Sequence, residues 1–193
     1  KIYGWIWEKD IINYVKKINC EYIQVPNHGY GFGNNCGIEF ALENYEFKYL
    51  AICNPDTILK SNIDLSLLEK YNCCIAPRII TRKKKQQNPY WAYENILSEK
   101  IIYKGYCKNN KTLILFGILI NKILRYLFYI LYFLSKEKYN KIYSCHGSFI
   151  ILNISFILHT NFRYDEKMFL FYEEAFHGFF VKKHQSMINY VND

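Results

Sequence analysis

Apolar residues along the chain collect into four short runs and one long one. The short runs are Tyr22-Ile23-Gln24-Val25, Tyr49-Leu50-Ala51-Ile52-Cys53, Cys73-Cys74-Ile75-Ala76 and Ser148-Phe149-Ile150-Ile151-Leu152. Each is strand-length and bounded by turn formers or polar residues, so each predicts a β-strand. Between the first two, apolar residues at 38, 41 and 42 predict a helix over Asn34 to Asn44 after a glycine-rich turn. Between the second and third, Leu65, Leu67 and Leu68 ahead of Glu69-Lys70 predict another, with Asp64 as an early acidic residue. Strands alternating with helices predict an α/β sheet, mixed and mostly parallel, flanked by helices.

The long run, Thr112 to Ser135, is nearly all apolar and long enough to span a bilayer. Lys122 and Arg125 lie near its centre, where each would cost roughly 2.5–3.5 kcal/mol on insertion scales. Polar and amphipathic residues recur at Lys122, Arg125, Tyr129, Tyr132 and Lys136, a helical spacing that makes one polar stripe on an apolar helix. That pattern predicts a helix lying in a membrane interface with its basic side toward the headgroups. A transmembrane span and a buried helix of a larger assembly are the alternatives.

Charge sharpens this picture. The net charge is +8, yet Arg78 to Lys141 holds 14 Lys and Arg against three acids, and the rest of the chain is net negative. A basic segment of that kind suits an anionic membrane surface or nucleic acid, or is simply a solvated face. Nucleic acid is not expected as a partner, because aromatics follow the Arg82-Lys83-Lys84-Lys85 cluster in an apolar run instead of interleaving with it as stacking platforms. The high content of apolar and aromatic residues, with 19 Tyr and 14 Phe, excludes a disordered chain, and 193 residues suit one domain. Seven cysteines, odd in number and without a Cys-x-x-Cys pair, point to a reducing cytosol and away from a zinc or disulfide framework. Lys1 to Asp10 has no apolar signal core, and the chain reads as a piece lacking one or both ends.

Three constellations could carry chemistry. Asn27-His28-Gly29-Tyr30-Gly31-Phe32-Gly33-Asn34-Asn35-Cys36-Gly37 combines glycines, which let backbone approach a ligand, with asparagines that suit a base or ribose edge. A helix starting near Asn34 would aim its amides at the same place. The same residues could equally form a purely structural loop. Asn54-Pro55-Asp56-Thr57 follows a strand, where sites in open α/β sheets gather, and Asp56 could hold Mg2+ or Mn2+. It could also be an ordinary turn with Asp56 capping the next helix. Glu173-Glu174 follows the apolar run Met168 to Tyr172; burial there would raise a carboxylate pKa and suit a general base. Acids at the positive end of a helix are the plainer reading.

Taken in order, Asn27-x-Gly29-x-Gly31-x-Gly33-Asn34-Asn35-x-Gly37-Ile38, Asn54-Pro55-Asp56-Thr57, Ala76-Pro77-Arg78-Ile79, His146-Gly147-Ser148-Phe149 and Asp165-Glu166 through Glu173-Glu174 resemble the family 2 glycosyltransferases, in particular their rhamnosyltransferase-like and capsular-polysaccharide branch. The likeness covers the chain outside Thr81 to Tyr143. It implies a GT-A (Rossmann-like) fold over residues 1–193, truncated at both ends, with a basic, amphipathic insertion at about 81–143. It also implies inverting transfer of a sugar from a nucleoside diphosphate to a glycan or lipid-linked acceptor, in surface polysaccharide assembly at the cytoplasmic face of the plasma membrane. In that likeness Asp56 matches the metal-binding aspartate and Asn54 stands where many relatives have a second one. Asn27, Gly29, Asn34 and Asn35 fall on the nucleotide side, and His146, Gly147 and Ser148 on the loop lining the donor and acceptor pocket. Glu174 aligns with the catalytic base, with Glu173 beside it. The alternative is a degenerate relative serving as a membrane-associated binding module.

Overall fold

A computed structural model describes residues 8–62, 74–134, 141–170 and 172–191, with side chains described from residue 12 onward. The helix expected around Leu65 to Lys70, the Cys73 end of one expected strand, and Lys136 lie outside the described residues.

Among the described residues five strands form one mixed sheet: β1 (Tyr49–Cys53), β2 (Cys74–Pro77), β3 (Lys141–Ile142), β4 (Phe149–Asn153) and β5 (Ile188–Val191). Their order is β1-β4-β2-β5-β3. Six described helices accompany them: α1 (Glu8–Lys17), α2 (Tyr30–Asn44), α3 (Ile96–Cys107), α4 (Lys111–Leu134), α5 (Ile154–Thr160) and α6 (Glu173–Lys183). The α/β class expected from the alternation is present. The expected predominance of parallel pairing is not: β4 runs antiparallel to both β1 and β2, β3 runs antiparallel to β5, and only β2 and β5 are parallel.

The reason lies in β4. Phe149, Ile150, Ile151 and Leu152 are all buried, so both faces of this strand are apolar. A strand apolar on both faces belongs in the middle of a sheet covered on both sides. Ile150 and Leu152 join the larger core with Ile38 of α2, Ile157 of α5, Val181 of α6 and Phe162, while Phe149 and Ile151 pack with Ile75 on the opposite face. By taking the slot between β1 and β2, β4 separates two strands that a simple β-α-β reading would set side by side.

Tyr22 to Val25 forms no strand and is irregular chain. Residues of high β-propensity gain little without a paired neighbour, and no described strand lies against these. The glycine-rich segment also differs from expectation. Helix α2 begins at Tyr30, so Gly31, Gly33 and Gly37 are helical and only Gly29 has positive φ (108°). A Cβ on Gly31 would lie 3.0 Å from the Tyr164 Cβ and 3.1 Å from the Asp165 carbonyl oxygen. Glycine there serves close packing of a helix on the 164–165 segment, not a turn.

The long apolar run forms α4 as expected, paired with α3 in a helical hairpin. Gly105 and Gly117 make the contact: a Cβ on Gly105 would lie 2.9 Å from the Ile114 nitrogen, and one on Gly117 3.0 Å from the Ile102 nitrogen. Further along, Phe128 packs edge-on against Trp91 and Tyr93, and Tyr132 against Tyr190. The Arg125 guanidinium stacks 4.4 Å over the Tyr90 ring. Arg125 and Tyr132 therefore pack toward the sheet domain, while Lys122 and Tyr129 of the same stripe are exposed. The expected polar stripe is split, and the outward side of α4 is the apolar one.

Candidate functional site

The topology brings three of the expected segments to one end of the sheet. Cys53, the last residue of β1, pairs with Phe149, the first of β4. The Asn54–Thr57 turn and the His146–Ser148 loop therefore emerge together. Antiparallel pairing of β2 with β4 puts Pro77, at the end of β2, on that same side.

Loop 144–148 is the hub. The Ser148 carbonyl accepts from the Asn54 backbone N–H at 2.8 Å and from the Thr57 hydroxyl at 3.1 Å. The Gly147 carbonyl accepts from the Tyr30 hydroxyl at 2.7 Å. The His146 N–H donates to Asn88 Oδ1 at 2.7 Å, and Asn88 Nδ2 donates to the Pro77 carbonyl at 2.7 Å. The Ser144 hydroxyl donates to the Glu174 carbonyl at 2.7 Å, while its backbone pairs with Trp91. Fully buried Asn88 and Ser144 have no water to turn to, so these bonds hold the loop firmly.

Around that hub the charges interact. Burial pulls the His146 imidazole below its usual pKa, with Arg125 adding to the effect and Glu174 opposing it. Its Nδ1 accepts from the Ser148 N–H at 3.2 Å, so the neutral ring carries its proton on Nε2. Burial pushes Tyr30 up to about 12, with Glu174 and Glu173 adding to the rise. Tyr90 is raised by burial and by Glu174, against the pull of Arg125. Glu174 is half-buried, and its Oε1 would lie 3.7 Å from a Cβ on Gly147.

Glu173 and Glu174 open α6, so the helix-start reading is the local structure, and Glu173 is buried. Of the preceding apolar run, Phe169, Leu170 and Tyr172 are exposed. Tyr172 has φ 71°, a left-handed conformation that costs a bulky residue about 1–3 kcal/mol. It turns the chain into α6, which sets Glu174 against the loop.

The asparagine side of the expected site is divided. Asn35 is buried and committed inside the protein: its Nδ2 donates to the Tyr164 carbonyl at 2.9 Å and Glu166 Oε1 at 3.0 Å, and its Oδ1 accepts from the Tyr164 N–H at 2.8 Å. It braces α2 on the 164–166 segment and is not a ligand group in this geometry. Gly29 is buried against the Phe169 backbone, and the Tyr30 N–H donates to the Phe169 carbonyl at 2.9 Å. Asn27 is exposed on the irregular chain before α2. Asn34 lies close enough to the Tyr30 hydroxyl to favour its ionised form, though its Nδ2 makes no bond of good geometry.

Asp56 is exposed at the tip of its turn, which the Thr57 N–H closes onto the Asn54 carbonyl at 3.1 Å. Among the described residues no group of three or more His, Cys, Asp or Glu could enclose a metal ion. Asp56, expected to hold Mg2+ or Mn2+, belongs to no such group. Tyr30, Tyr90 and Arg125 were not singled out in the sequence as site residues. The one signal for Arg125 was a guanidinium in the middle of an apolar helix. Comparisons with family models, curated proteins and solved structures return no match.

Proposed function

We propose that the chain is an inverting glycosyltransferase of the family 2 type, with a GT-A-like fold, that takes its sugar from a nucleoside diphosphate. The observation that carries this reading is the hub: the Asn54–Thr57 turn and Tyr30 are hydrogen-bonded to the loop that contains His146, and Glu174 lies against that loop. Segments far apart in sequence, at Asp56, His146 and Glu174, thus supply a carboxylate turn, a neutral imidazole and a second carboxylate at one sheet end.

In this reaction the acceptor hydroxyl oxygen attacks the anomeric carbon, the bond from that carbon to the diphosphate breaks, and the diphosphate leaves. Glu174 takes the hydroxyl proton. A bound divalent ion would neutralise charge on the diphosphate, held by Asp56. Arg125, through its side chain over Tyr90, adds fixed positive charge near His146. The test is release of nucleoside diphosphate from a panel of nucleoside-diphosphate sugars with Mg2+ or Mn2+. Glu174→Gln should lower the rate roughly 10²–10⁴-fold, as loss of a general base does. Asp56→Ala should lower it and weaken its dependence on metal concentration. Full activity in Glu174→Gln would remove the base assignment, and full activity in Asp56→Ala the metal assignment.

A further inference from the structure

Helix α4 poses a problem that the site does not solve. Of its 24 residues, twelve are large hydrophobics that remain exposed. Only 6% of its most apolar 18-residue window is buried, so it is not the core helix of the described fold. Leu115, Leu119, Ile123, Tyr126, Ile130 and Leu134 recur every three or four positions and form one continuous outward stripe. Monomers rarely leave so large an apolar patch in water.

We propose that the α3–α4 hairpin is a docking surface for an anionic lipid bilayer, on which α4 lies in the plane of the leaflet with its outward stripe among the acyl chains. Two observations select this occupant. The first is charge: residues 96–134 carry Lys100, Lys104, Lys108, Lys111, Lys122 and Arg125 against the single acid Glu99. The five lysines are exposed, and four of them lie on α3 or at the turn into α4. Cations bordering an apolar stripe match phosphate headgroups over hydrocarbon. Exposed Tyr103, Tyr106 and Tyr126 add amphipathic rings of the kind found at that boundary.

The second is how α4 is held. A spanning helix needs its whole circumference free for lipid or other spans. Here the opposite side of α4 is packed on protein along most of its length, at Gly117 against α3, Arg125 over Tyr90, Phe128 on Trp91 and Tyr132 on Tyr190. Crossing the bilayer would tear these contacts from a polar domain; lying flat keeps them all. The structure thus reverses the face expected to meet lipid: the stripe containing Arg125 and Tyr132 holds the domain, and the apolar side is free for the leaflet. The inference does not depend on the proposed transfer reaction.

The test is co-sedimentation of the full chain with vesicles of equal parts phosphatidylglycerol and phosphatidylcholine, and with vesicles of phosphatidylcholine alone. Strong preference for the anionic vesicles is expected, with release by alkaline carbonate. Leu119→Asp with Ile123→Asp should weaken binding by more than about tenfold. Lys104→Gln and Lys108→Gln should each weaken it by roughly fivefold on anionic vesicles and leave phosphatidylcholine unaffected. If the aspartate pair unfolds the chain, the lysine variants decide alone. The proposal is overturned by equal binding to both vesicle types, or by binding that the lysine variants leave unchanged. Carbonate resistance would mean a spanning helix. A concentration-dependent dimer without vesicle binding would mean that a second copy covers the stripe.

Discussion

At the scale of single residues, buried histidine is the most informative group. His177 sits between two buried thiols, with Cys74 Sγ 3.8 Å from its Nε2 and Cys145 Sγ 3.7 Å from its Nδ1, and the Phe162 ring at 5.3 Å. Burial pulls its pKa down from 6.5 to about 4. Between those values the unfolded chain binds a proton that the native state refuses. The contribution is therefore fully present above about pH 6.5 and is lost as pH falls toward 4, by about 3 kcal/mol in all. Urea unfolding from pH 7 to 4 should show that decline, and His177→Gln should flatten most of it; an unchanged slope would mean that His177 is not the group responsible. His146 is lowered in the same direction and leaves a smaller residual slope. None of this was legible from the sequence, where His177 was one histidine in a helical stretch. Asn35 shows the converse: its place in an asparagine-rich motif suggested a ligand, but only the fold reveals that Tyr164 and Glu166 use its amide.

At the scale of elements, two glycines in helices make opposite predictions. In α2, a Cβ on Gly37 would meet nothing within 4 Å. Gly37→Ala should stabilise by up to about 1 kcal/mol, the ordinary helix-propensity gain. In α4, a Cβ on Gly117 would lie 2.6 Å from the Ile102 Cγ1 and 3.0 Å from its backbone nitrogen. Overpacking costs about 1–3 kcal/mol, more than the propensity gain, so Gly117→Ala should lower the melting temperature. Thermal melts of the two variants check both signs; a stabilised Gly117→Ala would show that α3 and α4 do not touch there. Helix α4 was legible because its period is long and unbroken. Its outward side was not, because an apolar helix with a few polar residues has two candidate faces. Packing against Trp91, Tyr93 and Tyr190 chose between them.

At the scale of the whole molecule, Arg125 joins the exposed hairpin to the site. It stacks over Tyr90 and helps to hold His146 below its ordinary pKa. Arg125→Met removes that positive neighbour, so the His146 pKa should rise, as measured by NMR titration. An unmoved His146 would mean that charge on α4 is not felt at the sheet end. The sequence by itself determined the α/β class, the positions of β1, β2 and β4 to within a residue, and the extent of α4, because each rests on local periodicity and turn chemistry. It also marked the 27–37, 54–57 and 173–174 segments as possible carriers of chemistry, and the resemblance added 146–148. The tertiary structure alone decided that β4 lies between β1 and β2, that Gly31, Gly33 and Gly37 are helical, and that Tyr30, Arg125 and Glu174 gather around the 146–147 loop and Tyr90. Those outcomes depend on which buried faces meet, and the partner of a face is not written in the residues that form it.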